Sequence, residues 1–195
     1  LNYMAMMASR DNRYTLDNRQ AKDTGLLTVL GHFEAAGLLT LRGRKLKFND
    51  SESRFYCNGG WLENHVFGLI YGMRKSRSHI TDVAKGLQVV RNQGVVKNEI
   101  DVAAMSHNRL HIIECKTQKF SKSNDDNAAA NSAIYRLDTL KTFSGGISGK
   151  AMLISYQPLT KYNLSRAEDL GIYCCSYTQL KQLDHHLYRF FDSES

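Results

Sequence analysis

Proline is nearly absent from this sequence of 195 residues: Pro158 is the single one, and it marks one loop. No internal repeat and no low-complexity tract is present, which argues against solenoid and array architectures. No apolar run reaches the roughly 18 residues that a membrane-spanning helix needs. The apolar start, Leu1 to Arg10, is too short for a signal peptide and gives way to a polar stretch. Cysteine is sparse. Cys57, Cys115, Cys174 and Cys175 include no CxxC pair, which argues against a structural zinc site and a disulfide scaffold. The seven histidines form no HExxH pattern, and the adjacent His185 and His186 face apart on a helix. Free thiols fit a reducing cytoplasm. The first residue is Leu rather than Met, so the expectation is a domain cut from a longer protein.

What is present is ample apolar material, 42% of residues, for a packed core. The length fits one domain, or one domain with a small appendage. A net charge of +7 favours a polyanionic partner and salt-dependent binding, although an ordinary basic surface gives the same sum.

Residues 1–50 read as a small winged-helix-like segment. Leu26, Leu27, Leu30, Phe33 and Leu38 recur at helical spacing, and Gly37 is a plausible stop. Leu38 to Leu41 and Leu46 to Phe48 then flank the basic tip Arg42-Gly43-Arg44-Lys45, the pattern of a hairpin. The tip either contacts nucleic acid or belongs to a spacer whose hairpin points into solvent. Asn49 to Ser53 reads as a polar linker and sets the domain boundary, with residues 51–195 as the second domain.

After Gly59-Gly60 comes a helix with Trp61, Leu62, Val66, Leu69, Ile70 and Met73 on its apolar face. Three strands follow, Leu87 to Arg91, Glu99 to Met105 and Arg109 to Thr117. Ser106-His107-Asn108 is the turn between the last two. Lys119 to Asn127 reads as a loop, Ala128 to Phe143 as a helix, and Ala151 to Ser155 as a buried strand. A short helix (Arg166 to Leu170), a strand (Gly171 to Cys175) and an amphipathic helix (Tyr177 to Phe191) complete the chain. The order predicts an α/β fold, a mixed sheet with helices on both faces.

Side chains alternate along a strand. Glu99 and Asp101 therefore share one face, and Glu114, Lys116 and Gln118 share one face of the next strand. Carboxylates converging there repel one another unless a divalent cation joins them, and hard oxygen ligands suit Mg²⁺ or Mn²⁺. A charged Glu114 beside an apolar run is expensive to bury without a partner. Lys116 is placed to stabilise developing charge on a phosphate, or to act as the counter-ion that lets Glu114 and Asp101 coexist. Glu63, near the start of its helix, either joins the cluster or answers the helix N-terminus. Arg136 and Gln118 are candidate phosphate contacts, as are Arg74 to Arg77 and Lys119 to Lys122, though a solvated loop or face explains each as well.

Three segments together resemble the PD-(D/E)XK nuclease superfamily, the restriction-endonuclease-like fold: Gly59-Gly60-Trp61-Leu62-Glu63, Asn98-Glu99-Ile100-Asp101-Val102 and Ile113-Glu114-Cys115-Lys116-Thr117. They are most similar to the C-terminal part of the CARF–nuclease effectors of type III CRISPR systems. Ile100 stands where the superfamily name puts proline. The resemblance implies a Mg²⁺- or Mn²⁺-dependent endonuclease acting on single-stranded DNA or RNA and nicking DNA. Its catalytic group would be Asp101, Glu114, Lys116, Glu63 and Glu99. The metal would sit on Asp101, Glu114, Glu63 and the backbone carbonyl of Cys115. It further implies a homodimer and an upstream CARF sensor for cyclic oligoadenylate, absent from these residues. Two other readings stand beside it. One is a restriction or repair endonuclease unrelated to CRISPR. The other is a catalytically silent nucleic-acid-binding module, which the intact Asp101, Glu114 and Lys116 argue against.

Overall fold

Lys45-Leu46-Lys47-Phe48 alternates charged and apolar residues, and such alternation buries one face of a strand. The structure is a computed structural model that describes residues 1–91, 96–117 and 126–192. In it this segment is β3 (Lys45–Phe48), the centre of a three-stranded antiparallel sheet in the order β1 (Arg13–Thr15), β3, β2 (Leu39–Arg42). The chain divides into two units, Leu1–Trp61 and Leu62–Ser195.

In the first unit the sheet turns Tyr14, Leu39, Leu41, Leu46 and Phe48 onto a core with Leu16, Leu30, Met4, Ala5 and Cys57. The helix α2 (Thr24–Ala35) starts where Asp23 accepts the N–H of Leu26 at 3.0 Å. It stops where Gly37 takes a φ of 73°. The helix and hairpin are as the sequence predicts, but α1 (Asn2–Met7) and β1 are additions. Asn49 to Ser53 is not a linker. Asp50 accepts the N–H of Ser53 at 2.6 Å, and these polar residues open helix α3 (Ser51–Phe55). The division between units falls later, after Trp61. Arg44 lies in the two-residue turn at the wing tip, but its side chain folds back, Nε and Nη2 donating to the Leu16 carbonyl at 2.9 and 2.7 Å.

In the second unit, α4 (Trp61–Met73) buries Leu62, Val66, Ile70 and Met73 at helical spacing. The strands β4 (Ile80–Arg91), β5 (Val96–Ser106), β6 (Arg109–Lys116), β7 (Lys150–Ser155) and β8 (Ile172–Ser176) form one sheet in that order. β4, β5 and β6 are antiparallel, and β6, β7 and β8 are parallel. His107 and Asn108, with φ of 49° and 58°, make the tight turn from β5 to β6. Helices α5 (Asp126–Gly145) and α6 (Lys161–Asp169) put Ile134, Leu137, Leu140 and Ala167 on one face, against Ile112, Ala151, Leu153 and Ile172. On the other face α7 (Leu183–Asp192) sets Phe190 and Phe191 against His111 at ring distances of 5.1 and 4.9 Å. This is the mixed α/β architecture that the sequence predicts. β4 starts earlier than expected, α6 is longer, and a 3₁₀ turn, Tyr177–Gln182, precedes α7. Arg77 does not project as a phosphate contact: it pairs with Asp192 at 2.8 Å and lies 4.3 Å over the Tyr188 ring.

Two features carry predictions. The outward face of the three-stranded sheet sets Arg13 opposite Lys47 and Arg42 opposite Lys45. Like charges directly across strands repel. Lys47→Glu should raise stability by about 0.5 kcal/mol at low salt, and thermal melts should show the gain vanish in high salt. A variant that melts below wild type at low salt refutes this. His111 is buried, with Nδ1 3.1 Å from the Arg109 carbonyl and Nε2 without a partner among the described residues. Burial, reinforced by Lys150 and Arg109, lowers its pKa to about 4. Below about pH 6.5 the unfolded chain binds a proton that the folded chain refuses, so stability falls as pH drops toward 4. His111→Asn should lose about 2 kcal/mol less than wild type between pH 7 and 4.5, measured by denaturant titration. Parallel losses in both proteins would show that His111 is not the group responsible.

Candidate active site

The register brings the acids together where two strands part. The last paired residues of β5 and β6 are Val102 and Ile113. Beyond them the backbone N–H of Cys115 is taken by the Asp101 side chain, Oδ2, at 2.7 Å. A carboxylate thus replaces a carbonyl as acceptor, and Asp101 is held beside Glu114. Glu114 is paired with Leu153 and Lys116 with Ser155 on β7, so both side chains lie on the sheet face covered by α5.

Glu114 is 2% exposed and carries two cations on the same oxygen, Oε1. Lys116 Nζ lies 2.5 Å away. The Arg136 guanidinium, reaching down from α5, is the second partner. Both cations are partly exposed, at 36% and 39%. A buried carboxylate that kept neither would be strongly destabilising.

Asp101 is raised to about 7. Burial is the main cause, Glu114 and Glu63 push the same way, and the Cys115 N–H and Lys116 oppose them. Glu63 is raised too, by burial first, then by Glu99 and Glu114, with Lys116 and Lys85 opposing. Perturbation of this kind, from burial among crowded carboxylates and cations, marks a functional site more often than a structural one. The Cys115 thiol is buried and held well above its usual range; its side chain is core.

Of the residues predicted to form the site, Glu63, Asp101, Glu114 and Lys116 act on one another electrostatically. Glu99 is drawn in through Glu63. It is exposed, influences Glu63, and lies beside Gly86, a position of β4 with a φ of 63°. Arg136 is brought to Glu114. Gln118 and Lys119 to Lys122 lie outside the described residues. Among the described residues no three His, Cys, Asp or Glu stand as a ready metal cage; Glu114 is turned to its cations and Asp101 to a backbone N–H. The donor chemistry nonetheless suits a hard divalent cation: all-oxygen carboxylates, one of them raised to about 7 by burial and then by its carboxylate neighbours. Asp101, Glu114 and Glu63 are the residues that could hold it.

Sequence reasoning missed Lys85 and Asn64. Lys85 donates to Asn64 Oδ1 at 2.6 Å and tempers Glu63. The signal was an earlier start to β4, where Lys85 lies opposite Val102.

The family described as Card1-like, endonuclease domain, matches residues 50–193. Among solved structures the chain is similar to protein VC1899 from Vibrio cholerae, at 32% identity and a TM-score of 0.87, over 97% of this chain and 49% of that one. It is also similar to Can2 from Sulfobacillus thermosulfidooxidans, solved in complex with cyclic tetra-adenylate, at 30% identity and a TM-score of 0.75, over 98% and 50% of the two chains. The chain spans about half the length of each of these proteins. Among curated proteins no sequence matches. With three quarters of its residues under that family description, bearing a mixed sheet with Asp101, Glu114 and Lys116 at its parted edge, the chain belongs to the Card1-like endonuclease domains.

Proposed function

We propose that this chain hydrolyses phosphodiester bonds in nucleic acid with the help of Mg²⁺ or Mn²⁺, and that it is the effector half of a CRISPR ancillary nuclease activated by cyclic oligoadenylate. The observation that carries the first part is the convergence of Asp101, Glu114 and Glu63 with Lys116, at a place where burial first and the neighbouring carboxylates second raise the Asp101 pKa to about 7. The second part is supported by similarity to half of Can2, a protein solved with cyclic tetra-adenylate bound. A cytoplasmic homodimer with a CARF sensor on the same polypeptide belongs to the same reading.

A divalent cation at the carboxylates supplies Lewis acidity toward the phosphate and activates water. The chain's own groups do the rest. The Cys115 N–H fixes Oδ2 of Asp101. Glu114, buried and rigid, presents Lys116 and Arg136 at the mouth of the patch. The ammonium of Lys116 meets charge developing on the phosphate, and the Arg136 guanidinium can grip a non-bridging oxygen through its planar fork.

The decisive experiment is cleavage of labelled single-stranded and supercoiled substrates in Mn²⁺ and in EDTA. Cutting is expected in Mn²⁺ alone, with a Mn²⁺-dependent rise in melting temperature that Asp101→Asn abolishes. Undiminished cutting in EDTA would falsify the metal requirement. Metal-free Asp101→Asn should melt at or above wild type, since it relieves like-charge crowding. A large drop would make Asp101 a structural residue instead.

Lys116→Ala should slow cleavage about a hundredfold, the scale of losing one charge-stabilising group. It should keep most of its stability, because Arg136 still answers Glu114. Lys116→Ala with Arg136→Ala should cost about 3 kcal/mol or more by leaving a buried carboxylate unpaired. A double variant as stable as the single one shows that Glu114 needs neither cation.

A further inference from the structure

Two strands end beside Lys116, and each is followed by an exposed tyrosine. Lys116 is paired with Ser155 of β7, and Ser155 with Ser176 of β8. The next residues are Tyr156 and Tyr177, at 50% and 59% exposure. The N–H of Tyr156 donates to the Lys116 carbonyl at 2.7 Å, which ties the root of that side chain to the strand carrying Glu114. Neighbouring strands run roughly 4.8 Å apart, so the two tyrosines follow from adjacent positions at the sheet edge. They line a cleft of about 430 Å³ with Gln157, Thr178, Leu180 and Lys181.

Tyr177 has a φ of 52°, in the left-handed region that bulky residues avoid. The turn that holds it is closed by a reciprocal cap: the Ser176 N–H donates to Gln179 Oε1 at 2.9 Å, and the Ser176 hydroxyl accepts a backbone N–H in return. Glycine would sit there without strain. A tyrosine that is strained yet mostly in solvent is not explained by core packing, and strain of this kind collects at functional sites.

We propose that this cleft is a stacking subsite for an unpaired base of single-stranded nucleic acid, resting on the nuclease reading for its location beside Lys116. The rings of Tyr156 and Tyr177 offer faces to a base, Gln157 and Thr178 offer hydrogen bonds to its edge, and Lys181 offers a charge to a neighbouring phosphate. A duplex keeps its bases stacked on one another and cannot use such rings.

The test is binding of a fluorescent mixed-sequence oligonucleotide, alone and annealed to its complement, to the full chain carrying Lys116→Ala so that the strand survives. Added to that background, Tyr177→Gly and Tyr156→Ala should each weaken single-strand binding about tenfold. Both Tyr→Phe variants should bind as the parent does, and duplex affinity should move less than twofold. Tyr177→Gly should melt at or above its parent, because glycine removes the strain. Single-strand affinity unchanged in both variants, equal losses on single strand and duplex, or a marked fall in the melting temperature of Tyr177→Gly would each overturn the subsite. Tyrosine-dependent binding in a protein whose wild type never cuts would sink the nuclease reading and leave the subsite standing. Cutting with tyrosine-independent binding would do the reverse.

Discussion

Glu114 takes a carboxylate to 2% exposure, and an ionised carboxylate at that depth requires cations within contact distance. Much of the arrangement around it follows from that requirement. Lys116 must be two residues further along the same strand to share its face, and α5 must cross the sheet where Arg136 can descend to it. The apolar packing of Ile134 and Leu137 on Ile112 and Leu153 holds α5 there. The same packing that stabilises the fold therefore delivers the second cation. A site built this way holds two positive groups at a cleft mouth in advance of any substrate, where they need no reorganisation to meet a phosphate.

Asp101 shows the complementary constraint. Its Oδ2 takes the Cys115 N–H where β5 and β6 part, so the acid both ends the ladder and crowds Glu114. Hydrogen bonding favours its ionised form, burial and neighbouring carboxylates disfavour it, and the second effect wins, at about 7. Unrelieved like-charge crowding is tolerated when something else is selected for. A bound cation is the simplest reason to keep three carboxylates so close.

The acids and the lysine were legible in the sequence because strand periodicity alone puts Glu114 and Lys116 on one face. Element order was legible for the same reason, from the apolar helix of Leu62 to Met73 to the strand of Ala151 to Ser155. Other features escaped because they depend on tertiary distance or on local hydrogen bonds. Arg136 was marked by the sequence as a candidate phosphate contact, but its pairing with Glu114, on another element, was not. Lys85 precedes the segment whose apolar pattern marks β4. Asn49 to Ser53 has linker composition, but Asp and Ser are also the residues that cap helices, and Asp50 uses that second property. Arg44 sits on a tip by sequence and folds back onto Leu16 in space.

β6 is where the sheet changes character, antiparallel to β5 and parallel to β7. That junction determines where chemistry can sit. An antiparallel neighbour can return through a two-residue turn, as at His107 and Asn108, so that edge of the strand pair is closed. A parallel neighbour needs a crossover, here the segment containing α5, so the C-terminal ends of β6, β7 and β8 all open on one edge. Lys116, Ser155 and Ser176 are their last residues, in register. Crevices at the carboxyl ends of parallel strands are the usual ligand sites of α/β sheets, since the backbone there has finished pairing and the side chains that follow are free of the layer below. Asp101 arrives at that same edge because β5 parts from β6 just before Cys115. Asp101 therefore comes from the antiparallel half, Glu63 from α4, the flanking tyrosines from the parallel half, and Glu114 with Lys116 from the one strand that belongs to both.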